Sequence, residues 1–285
     1  MNRAFKIRRF PTISDMVFLL LLFFFSQLLF GAILSLFGAV PPTVSSIEAV
    51  DVETYMNEQL ALGKYAAVIY PMSMLFSLVV LWAYIRLRGG KRAIYIRHSA
   101  SGFNPSIVLI GVLWLLSAQI LLEPVMALLP PSEGRGIGRG VWACFTAVVS
   151  SAVLEEILCR GVIFEVFRKR WGIKTSILFS SLFFGIIHLD PATAVVAVVA
   201  GIIFGVLYVR TSSLFTSIII HSINNAMAFA MICFGVGDMS LRDIIGEGVA
   251  YYIVYGIAAV IFIAAATESY FTIFRRQKPI ADSTK

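Results

Sequence analysis

The sequence predicts an all-α, polytopic membrane protein built as a bundle of about eight transmembrane helices. Hydrophobic residues make up 59% of the 285 residues, and charged residues make up only 14%, well below the roughly 25% of soluble globular domains. The apolar residues are gathered into runs close to the length of about 20 residues that an α-helix needs to cross the hydrocarbon core. We therefore expect a single transmembrane bundle over residues 1–285 rather than a soluble enzyme with an anchor.

The first four predicted spans begin after a basic N-terminal segment. The first apolar run is too long for a signal peptide, and no small-residue cleavage site follows it, so we interpret it as a helix. The third span begins at Pro105, because proline suits the first turn of a helix. The predicted spans are residues 16–40, 65–85, 105–123 and 141–167.

The last four predicted spans are more closely spaced along the chain. The fifth is short and ends at Asp190 and Pro191. The sixth carries Gly201 and Gly205 four residues apart, a spacing of small residues that lets helix backbones approach closely, and we interpret this pair as a packing feature. These predicted spans are residues 175–189, 192–208, 213–234 and 249–271.

The basic residues predict the orientation of the chain in the membrane. With eight spans, most Lys and Arg residues fall at the two termini and in the loops on the same side, and the opposite loops hold only Lys64, Arg135, Arg139 and Arg242. Because positive residues collect in cytoplasmic loops, we expect both termini to be cytoplasmic, in an inner or plasma membrane. The net charge of +7 then follows from topology, and no nucleic-acid partner is expected.

The fourth predicted span contains three ionisable residues near its centre: Glu155, Glu156 and Arg160. Each costs roughly 2.5–3.5 kcal/mol at mid-membrane, and such residues usually serve a functional site. Glu156 and Arg160 are four residues apart and share a helix face, so they can pair with each other. Glu155 points elsewhere, which leaves a carboxylate available to a cavity. A purely structural ion pair between packed helices is the alternative interpretation of the cluster.

Two further spans carry polar side chains in apolar surroundings. The fifth contains Phe184 and His188, and the seventh contains His221 and Asn225, each pair four residues apart. At about 1.5 Å of rise per residue, Glu155 and His188 lie roughly 20 Å and His221 roughly 12 Å from the cytoplasmic ends of their helices. Three helices thus place polar groups at similar depth, which predicts a shared, water-filled site in the membrane.

This set of groups has the chemistry for amide hydrolysis. A carboxylate and an imidazole can deprotonate a water molecule, and a second imidazole and a side-chain amide can donate hydrogen bonds to an oxyanion. The chain has neither a G-x-S-x-G nucleophile elbow nor an H-E-x-x-H helix, the signatures of serine hydrolases and zinc peptidases. A metal held by two His and one Glu remains an alternative.

The three motifs together resemble those of the CAAX prenyl protease and bacteriocin-processing (CPBP) family of intramembrane endopeptidases. The motifs are Glu155-Glu156-x-x-x-Arg160, Phe184-x-x-x-His188 and His221-x-x-x-Asn225, and the resemblance covers about residues 140–234, the expected catalytic core. It implies an eight-helix bundle with a cavity open to the cytoplasm, and a glutamate-type mechanism with no metal or other cofactor.

The resemblance also implies a role for each motif residue. Glu155 would be the general base and share the attacking water with His188. His221 and Asn225 would form the oxyanion site, and the four-residue spacing favours Asn225 over the adjacent Asn224 as the donor. The remaining motif residues would orient the helices; they are Glu156, Arg160 and Phe184.

The substrate and two other function classes stay open. Family members cut prenylated proteins or act in bacteriocin maturation and immunity, so we expect a membrane-embedded or lipidated peptide as the partner, together with membrane lipids. A zinc-dependent membrane hydrolase could use the same side chains. A bacteriocin-immunity protein or proton-coupled transporter could use them as a scaffold or a relay, although the chain lacks the repeated halves common in transporters.

Overall fold

The computed structural model describes residues 10–45, 50–89, 103–130, 138–237 and 239–276. Within these ranges all regular secondary structure is helical, which confirms the all-α prediction. The helices are α1 (Ile13–Leu36), α2 (Val52–Gly89), α3 (Pro105–Met126), α4 (Gly140–Ile186), α5 (Pro191–Thr211), α6 (Leu214–Cys233), α7 (Leu241–Ile245) and α8 (Val249–Arg276).

Seven of the described helices are long and apolar enough to cross a membrane. Only α7, with five residues, is too short. The protein is therefore an integral, multi-pass membrane protein. The fourth and fifth predicted spans lie together in α4, which is why the described residues give seven long helices rather than eight.

Helix α4 reverses direction at Gly172. Its 47 residues would extend about 70 Å if straight, more than twice the roughly 30 Å of a hydrocarbon core. Gly172 has φ +76° and ψ −175°, a conformation that glycine adopts readily because it lacks a Cβ. The Phe179 ring then lies 5.9 Å from the Phe167 ring, whereas 12 residues of straight helix would separate them by about 18 Å. The two segments thus fold back on each other.

The first segment of α4 is not a regular α-helix. Two stretches, Phe145–Ser151 and Ile157–Phe164, are π-helical, and they flank the short α-helical stretch Ala152–Glu156. Such i→i+5 hydrogen bonding is rare and is found frequently at functional sites. A regular α-helix rotates by about 100° per residue about its axis. That rotation therefore does not hold in the stretches on either side of Ala152–Glu156.

Helix α2 is longer than its predicted span. It begins at Val52 rather than near residue 65, so it includes part of the acidic segment that lies between the first two predicted spans. The Asp51 carboxylate accepts hydrogen bonds from the Thr54 backbone N–H and hydroxyl, at 3.0 and 2.7 Å, and these bonds lower the pKa of Asp51 below its usual value. This cap stabilises the first turn. Further along, the Gln59 carbonyl accepts from the Arg139 N–H at 3.1 Å.

The described residues form two compact units, each considered by itself. The first contains α1, α2 and α4 as far as Phe179. In it, the Ser26 and Ser77 hydroxyls lie 2.6 Å apart, and Asp15 pairs with Arg88 at 3.0 Å. Both contacts join α1 to α2, and interhelical polar contacts of this kind hold transmembrane helices together.

The second unit contains α3, the rest of α4 from Ser180, and α5 to α8. In this unit the backbones of α4 and α5 approach each other closely. A Cβ built on Gly201 would lie 3.0 Å from the Cα of Ser181, so this glycine serves packing, as the sequence suggests. Whether residues 1–285 behave as one bundle stays a prediction.

Candidate active site

Glu155 lies in the first unit, on the α-helical stretch between the two π-helical segments. Its side chain is almost entirely buried, with 9% relative exposure. The Tyr70 hydroxyl of α2 donates a hydrogen bond to Glu155 Oε1 at 2.5 Å. Helix α2 packs along this part of α4, and Tyr70 immediately precedes Pro71 inside α2. The carboxylate is thus oriented by a phenol from a neighbouring helix.

Glu156 and Arg160 form the ion pair expected from their spacing. Arg160 Nη1 lies 2.6 Å from Glu156 Oε1, and both side chains are fully buried. A charge-assisted bond of this length is among the stronger hydrogen bonds in proteins. Glu155 and Glu156, although adjacent in sequence, therefore have different partners: Glu155 contacts Tyr70, and Glu156 contacts Arg160.

His188 lies in the second unit, at the end of α4. Its Nδ1 is 2.7 Å from the Phe184 backbone carbonyl. A carbonyl oxygen only accepts hydrogen bonds, so Nδ1 carries the hydrogen, and in the neutral ring Nε2 keeps its lone pair. This bond fixes both the tautomer and the ring orientation. His188 can accordingly accept a proton or a hydrogen bond at Nε2.

His221 is held by two phenylalanine rings of the same unit. It is 4% exposed. Its ring stacks on Phe204 of α5 at 4.9 Å and 24°, and it meets the Phe184 ring edge to face at 5.6 Å. Phe184 also meets the His188 ring edge to face, at 5.0 Å. One phenylalanine thus separates and orients both imidazoles.

A chain of three side-chain amides reaches Asn225 in the second unit. Gln119 Nε2 of α3 donates to Asn224 Oδ1 at 2.6 Å, and Asn224 Nδ2 is 3.4 Å from Asn225 Oδ1. Asn224 is therefore engaged by its neighbours. Because the Asn225 oxygen accepts from Asn224, its amide N–H groups point away from that contact, as a donor to an oxyanion would require.

The structure gathers the predicted residues into two groups, one in each unit. The first unit holds the two glutamates and the arginine, and the second holds Phe184, His188, His221 and Asn225. Three contributors were not predicted from the sequence: Tyr70, Phe204 and Gln119. Gln119 is a polar residue in an apolar span, which is a signal the sequence offers, whereas Tyr70 and Phe204 are residue types common in any membrane helix.

The described residues contain no group of three or more His, Cys, Asp or Glu side chains that could hold a metal ion. The carboxylate of Glu155 is instead hydrogen-bonded to a phenol, and His188 Nδ1 is occupied by a carbonyl. These contacts orient the carboxylate and the imidazole.

The family comparison covers the segment that carries all three motifs. Residues 137–227 match the family model described as type II CAAX prenyl endopeptidase Rce1-like. Over this segment the chain is similar to the Rce1-like domain of the CAAX protease family. The match supports a CAAX-type intramembrane protease, and hence a peptidase, at the level of the family. Comparisons with curated proteins and with solved structures find no match.

Proposed function

We propose that the protein is an intramembrane endopeptidase that hydrolyses a peptide bond of a membrane-embedded or lipidated substrate. The observation that carries the proposal is the Rce1-like match over residues 137–227, since this segment contains every motif residue from Glu155 to Asn225. The contacts of those residues, described above, fit the roles that the family resemblance implies.

In the proposed reaction Glu155 and His188 activate one water molecule. The water oxygen attacks the scissile carbonyl carbon while Glu155 takes a water proton as general base, and His188 holds the same water through Nε2. The carbon–nitrogen bond of the resulting tetrahedral intermediate then breaks, and the proton on Glu155 passes to the leaving amine. The His188–Phe184 bond supports this role because it leaves Nε2 available.

His221 and Asn225 are proposed to stabilise the oxyanion of the tetrahedral intermediate. Both can donate hydrogen bonds, and preorganised donors of this kind are worth roughly 10²–10³ in kcat each. Stacking on Phe204 limits the rotation of the His221 ring. The contact with Asn224 orients the Asn225 amide. Preorganisation matters here because the donors then need no reorientation as charge develops.

Glu156, Arg160 and Phe184 are proposed as orienting residues. The fully buried Glu156–Arg160 pair fixes the helix face beside Glu155. Phe184 positions both imidazoles through its carbonyl and its ring. None of these groups is required to exchange a proton with the substrate.

The substrate class and the membrane setting follow from the same proposal. The family description names a CAAX prenyl endopeptidase, so a peptide that ends in a prenylated Cys-aliphatic-aliphatic-X sequence is the first substrate to test. We propose a cavity that opens to the cytoplasm, cytoplasmic termini, a location in the inner or plasma membrane and a mechanism that uses no metal.

The test is cleavage of a farnesylated CAAX peptide and of detergent-solubilised membrane peptides by purified protein. Glu155→Ala and His188→Ala should each abolish cleavage while the protein keeps its far-UV circular dichroism and elution volume. Glu268→Gln, a half-exposed carboxylate paired with Arg210, serves as the control and should cleave normally. Normal turnover by both site variants would reject the proposal.

A further inference from the structure

We propose that Tyr70 is a positioning residue for the general base: its phenol holds the Glu155 carboxylate in the orientation that water activation requires. The proposal rests on the assignment of Glu155 as general base. It adds a residue from α2, outside the segment of residues 137–227 that matches the family.

The contact is short, and it joins two helices. Tyr70 and Glu155 are 85 residues apart in sequence, and the oxygen–oxygen distance is 2.5 Å. This distance lies at the short end of the range for O–H···O hydrogen bonds. Since the carboxylate oxygen can only accept, the phenol is the donor. Oε1 is thereby held by the phenol.

The surrounding backbone explains how Tyr70 reaches the carboxylate. Pro71 lies inside α2, where it cannot donate a backbone hydrogen bond and where its ring displaces the preceding turn. Glu155 stands on the α-helical stretch Ala152–Glu156, between two π-helical segments. A proline in α2 and the π-helical segments of α4 therefore lie close to the point where the two side chains meet, and π-helical segments are frequent at functional sites.

The bond should affect catalysis more than substrate binding. The hydrogen bond restricts a side chain with several rotamers, and it holds the base in the geometry that proton abstraction requires. Tyr70 donates to the base itself, so its loss should lower kcat and leave KM nearly unchanged, the pattern of an interaction required in the chemical step.

The experiment compares three variants of the full-length protein with the farnesylated CAAX peptide as probe. Tyr70→Phe removes only the hydroxyl and should lower kcat about 10- to 100-fold, which equals about 1.4–2.8 kcal/mol at about 1.4 kcal/mol per factor of ten. KM should stay within about twofold of the wild-type value. Tyr65→Phe is the matched control, because Tyr65 lies on the same helix and its hydroxyl has no partner among the described residues; its kcat should be normal.

A second measurement separates positioning from general stability. The melting temperature is recorded for Tyr70→Phe, Glu155→Ala and the double variant. If the phenol acts on Glu155, the effect of Tyr70→Phe on melting should disappear in the Glu155→Ala background. Two results would overturn the proposal. The first is an equal effect of Tyr70→Phe on the melting temperature in both backgrounds. The second is a normal kcat in Tyr70→Phe, whether or not its melting temperature falls.

The proposed function fails separately from this inference. Normal turnover by Glu155→Ala rejects the general base, and together with normal turnover by His188→Ala it rejects the proposed function, whatever Tyr70→Phe does. An inactive Glu155→Ala variant with a fully active Tyr70→Phe variant rejects only the role of Tyr70. If the wild-type protein leaves the probe uncleaved, that probe is rejected as substrate, and the melting cycle alone decides whether Tyr70 acts on Glu155.

Discussion

The buried Glu156–Arg160 pair allows a sharp prediction about stability. The two side chains are completely buried, and their charged atoms lie 2.6 Å apart. Arg160→Met removes the positive charge and keeps an apolar side chain of similar length, so Glu156 loses this partner. Breaking a buried ion pair from one side destabilises a protein by about 3–5 kcal/mol. We therefore expect a fall of this size in the free energy of unfolding.

A second variant and an exposed ion pair test whether the stability loss comes from the buried charge. Glu156→Gln combined with Arg160→Met removes the buried negative charge and should recover part of the lost stability. Glu247→Gln breaks the Arg242–Glu247 pair, whose side chains are 51% and 64% exposed, and should change stability by only about 0–1 kcal/mol.

The assay is unfolding in mixed detergent micelles, followed by far-UV circular dichroism, with the free energy obtained by linear extrapolation. An Arg160→Met variant that is as stable as Glu247→Gln would contradict the large stability loss expected for the buried pair. A double variant that is less stable than Arg160→Met alone would also contradict it, since neutralising a buried carboxylate that has lost its Arg160 partner should not add a further loss.

Two further predictions concern the second unit. Asn225→Ala should lower kcat by roughly 10²–10³, the usual cost of one oxyanion donor. Asn224→Ala should lower kcat by less than about tenfold, because Asn224 acts through its neighbour. Equal losses of kcat in steady-state kinetics would contradict the assignment of Asn225 as the oxyanion donor. Gly185→Ala should destabilise by about 1–3 kcal/mol, because the added Cβ would lie 2.3 Å from Val198 Cγ2. Gly256→Ala meets nothing within 4 Å and should be neutral or slightly stabilising; equal unfolding free energies for the two glycine variants would disprove the close helix approach.

The helices could be predicted from the sequence because a membrane span needs a long apolar run. Each of the seven long helices overlaps at least one predicted span. The break at Gly172 was expected only as a loop between spans. Its form depends on one backbone conformation, with φ +76°, and glycine permits that conformation without dictating it.

The irregular helical segments could not be predicted from the apolar pattern. Residues 145–151 and 157–164 lie within the apolar run of the fourth predicted span, yet they are π-helical. The start of α2 at Val52 was also missed, because the acidic residues before residue 65 suggested a loop. Hydropathy reports which residues tolerate lipid, whereas hydrogen-bond register and helix ends depend on caps and packing.

The motif residues of the candidate site were recognisable because polar groups in an apolar span are unusual. Glu155, His188 and His221 stand out for that reason. The residues that orient them do not stand out. Tyr70 lies 85 residues from its partner, and Phe204 is one of 23 phenylalanines in the chain. Only the packing of helices shows which tyrosine or phenylalanine contacts a given polar group.

The central claim is that Glu155 is the general base of a membrane peptidase. Comparative peptidomics of membranes from cells that carry the wild-type protein or Glu155→Ala tests it most directly, with expression of both proteins verified at equal levels. We expect cleavage products that are present with the wild-type protein and absent with Glu155→Ala, and we expect the intact precursor to accumulate in the variant. Identical peptide sets from both membranes would contradict it.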